Sequence, residues 1–364
     1  MHHGSVPKYI QQEIISLFNQ GDLKVLICTT TITEGVNTSA KNMLVLSGKK
    51  GKKSLKKFDA QNIAGRAGRF MYHYQGRVFI LEKAFADCMN EEGEFLRHKF
   101  FDKEADKSDV DIVLSDSEYL LDNQKIRKRE LQLIKANSGL PEDCFEEFKT
   151  VSYEYKDCLY KLIAGLSKNE QKEISQLIQR YIANHYVHKD GLEIICRIIL
   201  PIVTNENLKY MIENRKDSYS PCYLVGMISA YISKGFSGSA NYYIKKEGDV
   251  DKGIRKAADF VFNVLRYQVV KYFGLFNLLY KHFNASSEQK KVDDVIGIDS
   301  ILLKLEFGAD TKLGSRVSDI GASFNVVKYY DLKEKSLVSA EVAKYYKSLD
   351  AYEKSNIDRI NRML

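Results

Sequence analysis

The chain has 364 residues, 44% apolar and 28% charged with only four prolines, a composition that excludes general disorder and leaves room for two or three domains and long helices. No apolar run reaches the roughly 20 residues of a bilayer span and the N-terminus has no secretory apolar stretch, so the sequence predicts a cytoplasmic protein with no membrane partner. The net charge is +7, and residues 1–82 hold all of it, with twelve Lys/Arg against five Asp/Glu; the basic and acidic residues beyond cancel. A local excess of this sign is expected of a phosphate-binding surface.

In chain order, His2, His3 and Gly4 make a turn ahead of a helix expected from Pro7 to Phe18, where Pro7 suits the first turn and Ile10, Ile14, Leu17 and Phe18 share a face. Lys8 on this helix is placed to add a phosphate contact. Gly21 and Asp22 then turn the chain into Val25–Cys28, an apolar run predicted as a buried strand. That strand would deliver TTTITEGVN, Thr29 to Asn37, to its carboxyl end, where open α/β sheets place their sites. Thr30 and Thr31 carry short hydroxyl side chains that can bond a strand phosphate without selecting a base.

Met43–Leu46 reads as a further strand, followed by SGKKGKKSLKKF. Its lysines, Lys49, Lys50, Lys52, Lys53, Lys56 and Lys57, are point charges on flexible stems in an expected exposed loop that could cover a nucleic-acid strand. A short helix from Asp59 to Ala64 leads through QNIAGRAGR, Gln61 to Arg69. Arg66 and Arg69 are three positions apart with Ala and Gly between them, so the backbone is free to turn and both guanidinium forks can meet one polyanion. They are the candidates to grip a nucleotide phosphate, and Gln61 would orient nearby ligand or backbone groups. Gly76–Leu81 is predicted as the last strand of the segment.

From Glu82 the chain becomes helical and charged. A linker or winged-helix-like region is expected over 83–150, including a helix at about Ser117–Ala136 with Lys125, Arg127, Lys128 and Arg129 and a further start at Pro141. Helices follow at 155–166, 169–186, 191–203 and 221–234. A long one runs from Ile254 to Tyr280, where Val261, Leu265, Val269, Phe273, Phe276 and Tyr280 recur at three- or four-residue steps. SSEQKKVDD, 286–294, reads as a polar linker before a small glycine-punctuated helical module ending at 364. The expected divisions are therefore 1–82, 83–150, 151–285 and 286–364. The 23 tyrosines are scattered through apolar helix faces, which favours packing over a stacking platform. Six cysteines without a CxxC read as reduced core thiols, and no metal site is expected.

Taken together, TTTITEGVNTSAKN and QNIAGRAGR resemble motifs V and VI of a Ski2-like superfamily 2 DExH-box helicase, and HHGSVPKYIQQEIISLF is similar to the segment that precedes them in that family. The resemblance covers roughly the first 82 residues. It implies an α/β RecA-like domain, the second of a two-domain ATP motor, followed by a mainly α-helical C-terminal region. It also places His3 and Gly4 beside the nucleic-acid backbone, and Glu34, Gly35 and Asn37 near the interdomain nucleotide. Arg66 and Arg69 would then face the γ-phosphate of ATP.

No GxxxxGK[ST] occurs, GKKGKK from Gly48 to Lys53 lacks both its spacing and its terminal hydroxyl, and there is no DExH-like segment to hold magnesium. ATP and Mg2+ are thus expected only in a motor completed by an N-terminal RecA-like domain, in cis or in trans, with a strand also expected ahead of His2. Expected partners are single-stranded DNA or RNA, that missing domain and a further protein. The alternative is a non-enzymatic nucleic-acid-binding or partner-binding module derived from a helicase.

Overall fold

The structure is a computed structural model that describes residues 2, 6, 8–29, 37–51, 53–68, 73, 75–90, 107–335 and 339–362. The chain forms two compact units, residues 1–100 and 101–364.

In the first unit, helix α1 spans Lys8–Gln20 and carries the expected apolar side, half-buried at Ile14, Leu17 and Phe18. Strand β1, Asn42–Val45, is followed by a two-rung hairpin of β2, Lys49–Lys50, and β3, Lys53–Ser54. The lysine run is therefore a hairpin and not an irregular loop, closed by Gly51 in the left-handed region at φ 64°. Helix α2, Lys57–Ala64, crosses to strand β4, Arg77–Ile80, which pairs parallel with β1 in the register Asn42 to Arg77 and Val45 to Ile80. Helix α3, Lys83–Asn90, closes the unit. A small core of Val45, Leu55, Ala60, Ile63 and Phe85 holds these elements together.

The buried strand expected at Val25–Cys28 is not formed. Only Cys28 bridges to His2, while Val25 and Ile27 are 76% and 62% exposed. A run buried on both faces needs neighbours on both sides of a sheet, and among the described residues this segment has a single bridge. Leu44 and Phe79 on the β1–β4 pair are likewise 56% and 50% exposed.

The second unit is helical throughout its described residues. Helices α4 (Asp109–Leu114), α5 (Asp122–Asn137), α6 (Glu142–Glu146), α7 (Tyr153–Ala164), α8 (Lys168–Asn184), α9 (Lys189–Ile199) and α10 (Glu206–Glu213) precede a long α11, Tyr223–Glu247. No strand lies between 107 and 150 among the described residues, so the segment expected as a linker or winged helix shows helices without a wing. Two basic residues of its helix have partners within the unit: Arg127 bridges Asp109 at 3.1 Å and Glu154 at 2.9 Å, and Lys128 donates to the Ser115 carbonyl.

The long helix expected from Ile254 begins earlier, as α12 (Val250–Asp259), passes through a π-helical stretch at Phe260–Val269 and continues as α13 (Val270–Glu288). Val261, Leu265 and Val269 are all buried. Helix α13 takes in the first residues of the expected 286–294 linker. Core residues from Val110 to Leu305 form one continuous cluster. A second cluster is built by α14 (Asp299–Phe307), α15 (Lys312–Asp319), α16 (Phe324–Lys335), α17 (Ser339–Ser348) and α18 (Ala351–Asn361), with Val317, Val326, Tyr330 and Ile360 inside. Gly235 bends α11 at φ 59°, and a Cβ there would stand 2.7 Å from the Phe324 ring.

Candidate nucleotide and strand-binding site

Thr38 and Ala40, which follow TTTITEGVN, contact the turn that ends QNIAGRAGR. Asn19, near the end of α1, fixes the exit of TTTITEGVN: its amide donates to the Asn37 carbonyl at 3.0 Å and its carbonyl oxygen accepts from the Ser39 amide at 2.7 Å. Thr38, fully buried, then donates its hydroxyl to the Arg66 carbonyl at 3.5 Å, and the Gly68 amide donates to Ala40 at 2.8 Å. Residues 37–40 and 66–68 are thus stitched together ahead of the amino ends of β1 and β4. His73 adds a 2.8 Å contact to the Ser39 carbonyl.

Glycine is required inside this turn. Gly68 has φ +68°, and a Cβ on it would collide with the Gly76 amide nitrogen. Gly68 therefore serves a close crossing of two backbones, two residues beyond the half-buried Arg66. Gln61 is exposed on α2, one and a half turns before Arg66. Asn37 is exposed beside the same stitch. His3, Gly4, Thr30, Thr31, Glu34, Gly35, Lys52 and Arg69 lie outside the described residues.

The lysines are elsewhere. Lys49, Lys50, Lys53 and Lys56 are exposed and Lys57 is half-buried at the first position of α2. Leu55 anchors their hairpin in the small core, its amide donating to Gly48 at 2.9 Å and its carbonyl accepting from the Cys88 thiol. Gly48 in turn donates to the Glu82 carboxylate. These contacts set the hairpin at the carboxyl end of β1, so α2, an eight-residue helix about 12 Å long, separates Lys57 from Arg66. Lys8 is exposed on α1. Between residues 24–29 and 42–47 runs a groove of about 590 Å3 that includes Lys24, Thr29, Thr38, Asn42 and Lys49. Sequence reasoning passed over Thr38 and Asn19, whose role appears only when the two stretches are brought together.

Among the described residues two clusters bring metal-ligand types together, Asp143 with Cys144 and His282, and Glu173 with His188 and Asp190. Burial pushes the Cys144 thiol up to about 12 and keeps it protonated. His188 caps α9, accepting from the Gly191 amide on Nδ1, and its Nε2 lies 3.6 Å from the Glu173 carboxylate.

Residues 1–71 match the family described as helicase conserved C-terminal domain. Over 92 residues the chain is 45% identical to anti-bacteriophage protein B of Escherichia coli (strain K12), a match covering 25% of this chain and 13% of that protein. Over 125 residues it is 30% identical to the DExH-box ATP-dependent RNA helicase DExH12 of Arabidopsis thaliana, covering 31% of this chain and 6% of that protein; DExH13 of the same plant matches equally. The matched segment is similar to the C-terminal portion of superfamily 2 DExH-type helicases. The match spans only a small fraction of the length of these relatives.

Proposed function

We propose that this chain supplies the second half of an ATP-driven nucleic-acid motor. Residues 1–82 act as the second RecA-like domain, and a first RecA-like domain provides the phosphate cradle and the magnesium ligand. ATP with Mg2+ would supply the hydrolysable phosphoanhydride. Arg66 and Arg69 would neutralise charge on the γ-phosphate oxygens as water attacks, the role in which a positioned guanidinium contributes most. Gln61, Glu34, Gly35 and Asn37 would line the nucleotide side, and Thr30 and Thr31, with His3, Gly4 and Lys8, the single strand of DNA or RNA.

The observation that carries this reading is the double tie of Thr38 to Arg66 and Ala40 to Gly68. A shift in the turn that bears the arginines must pull on residues 37–40, which leave the threonine-rich stretch, so nucleotide state and strand contact have a common backbone route. The lysine hairpin stands off from that route, and its proposed part is to hold phosphates without taking part in hydrolysis.

The test is Arg69→Ala in the two-domain motor. Nucleic-acid-stimulated ATP hydrolysis is expected to fall by the order of 10³ that a transition-state arginine contributes, with nucleic-acid affinity unchanged. Normal stimulated hydrolysis in this variant would remove the arginines from the chemistry.

A further inference from the structure

The second unit holds a cavity of about 230 Å3 walled by aromatic rings from α10, α11 and the start of the π-helical stretch. Its floor is Tyr243 and Phe260, both buried, with ring centroids 6.3 Å apart. The rim is more open: Tyr210 is 54% and Tyr242 39% exposed, and Tyr223 lies 6.3 Å from Tyr210. Above the rim sits Lys246, whose ammonium is 5.9 Å from the centroids of both Tyr223 and Tyr242 and has no carboxylate partner among the described residues. The second lysine, Lys256, is paired with Glu247 at 2.8 Å, and the one carboxylate of the lining, Asp259, accepts from Asn263 at 2.6 Å.

The helices behind the rings are closely packed. Gly248 ends α11 at φ 65°, and Gly253 of α12 comes so near Ile244 that a Cβ would stand 2.5 Å from its backbone. Tyr242, Tyr243 and Lys246 on one helix and Phe260 at the end of the other are therefore held in a fixed relation before any ligand arrives, which lowers the ordering cost of binding.

The volume is below the roughly 300–1,000 Å3 of pockets for drug-sized ligands and suits a single planar ring. Exposed tyrosine faces stack any nucleobase, and an unpaired lysine beside them favours an anionic group and repels a cationic one. We propose that this cage takes one unstacked base of a single-stranded nucleic acid, with Lys246 on the adjoining phosphate. The proposal rests on the reading of the chain as part of a nucleic-acid motor, but on residues of a different unit from those that carry it. It also reverses, for the four tyrosines of the cage, the expectation that packing is favoured over stacking.

The experiment is fluorescence anisotropy of the whole chain with short labelled single strands, intact or made wholly abasic. Tyr210→Ala and Tyr242→Ala are expected to weaken intact-strand binding roughly 5- to 150-fold, the range for loss of one base stacked on an aromatic ring, and to leave abasic-strand binding unchanged. Lys246→Gln should weaken both strands and lower the log-log salt slope by roughly 0.7. Tyr242→Phe should retain binding, and Tyr186→Ala, an exposed tyrosine outside the cage, should have no effect.

Equal losses on intact and abasic strands, binding of the two alanine variants within twofold of the parent, or no binding by the parent chain would each overturn the cage. Neutralising the lysine hairpin separates the two readings: unchanged binding there with a base-dependent loss at Tyr242 removes the hairpin from the first and leaves the cage standing.

Discussion

The Thr38 hydroxyl donates to the Arg66 carbonyl at 3.5 Å from a fully buried position. The residue that follows the threonine-rich stretch thereby holds the main chain that carries the first arginine. Thr38→Val keeps the shape and removes the donor, and a single such bond contributes about 0.5–1.5 kcal/mol. The Gly68 amide, next in the same turn, is expected to exchange with solvent deuterium roughly 2- to 12-fold faster in the variant, while Thr38→Ser restores the parent rate. An unchanged Gly68 rate in Thr38→Val would mean that the bond does not hold the turn.

Two glycines with nearly the same backbone angle should respond differently to alanine. Gly51, at φ +64° in the lysine hairpin, has no atom within 4 Å of a Cβ, so Gly51→Ala bears only the left-handed penalty of about 1–2 kcal/mol. Gly68, at φ +68°, would in addition drive its Cβ into the Gly76 backbone. Gly68→Ala is expected in the range above about 4 kcal/mol that marks a broken structural requirement. Urea unfolding followed by limited proteolysis of the first unit checks the order, and equal losses would contradict the close crossing.

Glu170 caps α8 and is held down at about 2 by Arg197 and by the Ser167 hydroxyl and amide, which meet its carboxylate. Its folded value lies below the unfolded one near 4.5. The stability it contributes is therefore fully present above pH 4.5 and lost as pH falls toward 2. Glu170→Gln is expected to flatten the fall in unfolding free energy across that window, with no change in slope above pH 5. Denaturant titrations at closely spaced pH values would show it, and superimposable parent and variant slopes below pH 4.5 would refute the assignment.

Neutralising Lys49, Lys50, Lys52, Lys53, Lys56 and Lys57 should weaken single-strand binding equally on unrelated sequences. The log-log salt slope should fall by roughly 0.7 for each phosphate that the neutralised lysines no longer hold. Anisotropy over a salt series measures this, and an unchanged slope would show that the hairpin touches no phosphate.

The chain by itself is expected not to turn over ATP, because hydrolysis needs the phosphate cradle, the magnesium ligand and the aligned water supplied together. Turnover that copurifies with the chain and disappears in Arg66→Ala would sink that expectation.

What the sequence by itself determined was local. QNIAGRAGR and TTTITEGVN were readable as a pair through their joint resemblance to two helicase motifs, and the helices of the second unit because apolar spacing writes a helix face directly. The step of four through Val261, Leu265 and Val269 predicted a helix but not the wide turn it adopts, because four residues lie midway between the two repeats. Tertiary structure decided everything that depends on which segments meet. Val25–Cys28 has the composition of a buried strand, yet a strand exists only through its neighbours, and here one bridge to His2 is all the described residues provide. Lys57 and Arg66 are close in the chain, but α2 separates the lysine hairpin, at the carboxyl end of β1, from residues 66–68, which meet the chain ahead of its amino end. Tyr210, Tyr223, Tyr242, Tyr243 and Phe260 are spread over about fifty residues and carry no motif. Only the packing of α10, α11 and α12 turns them into one cage, because side-chain convergence is a property of helix contacts and not of sequence distance.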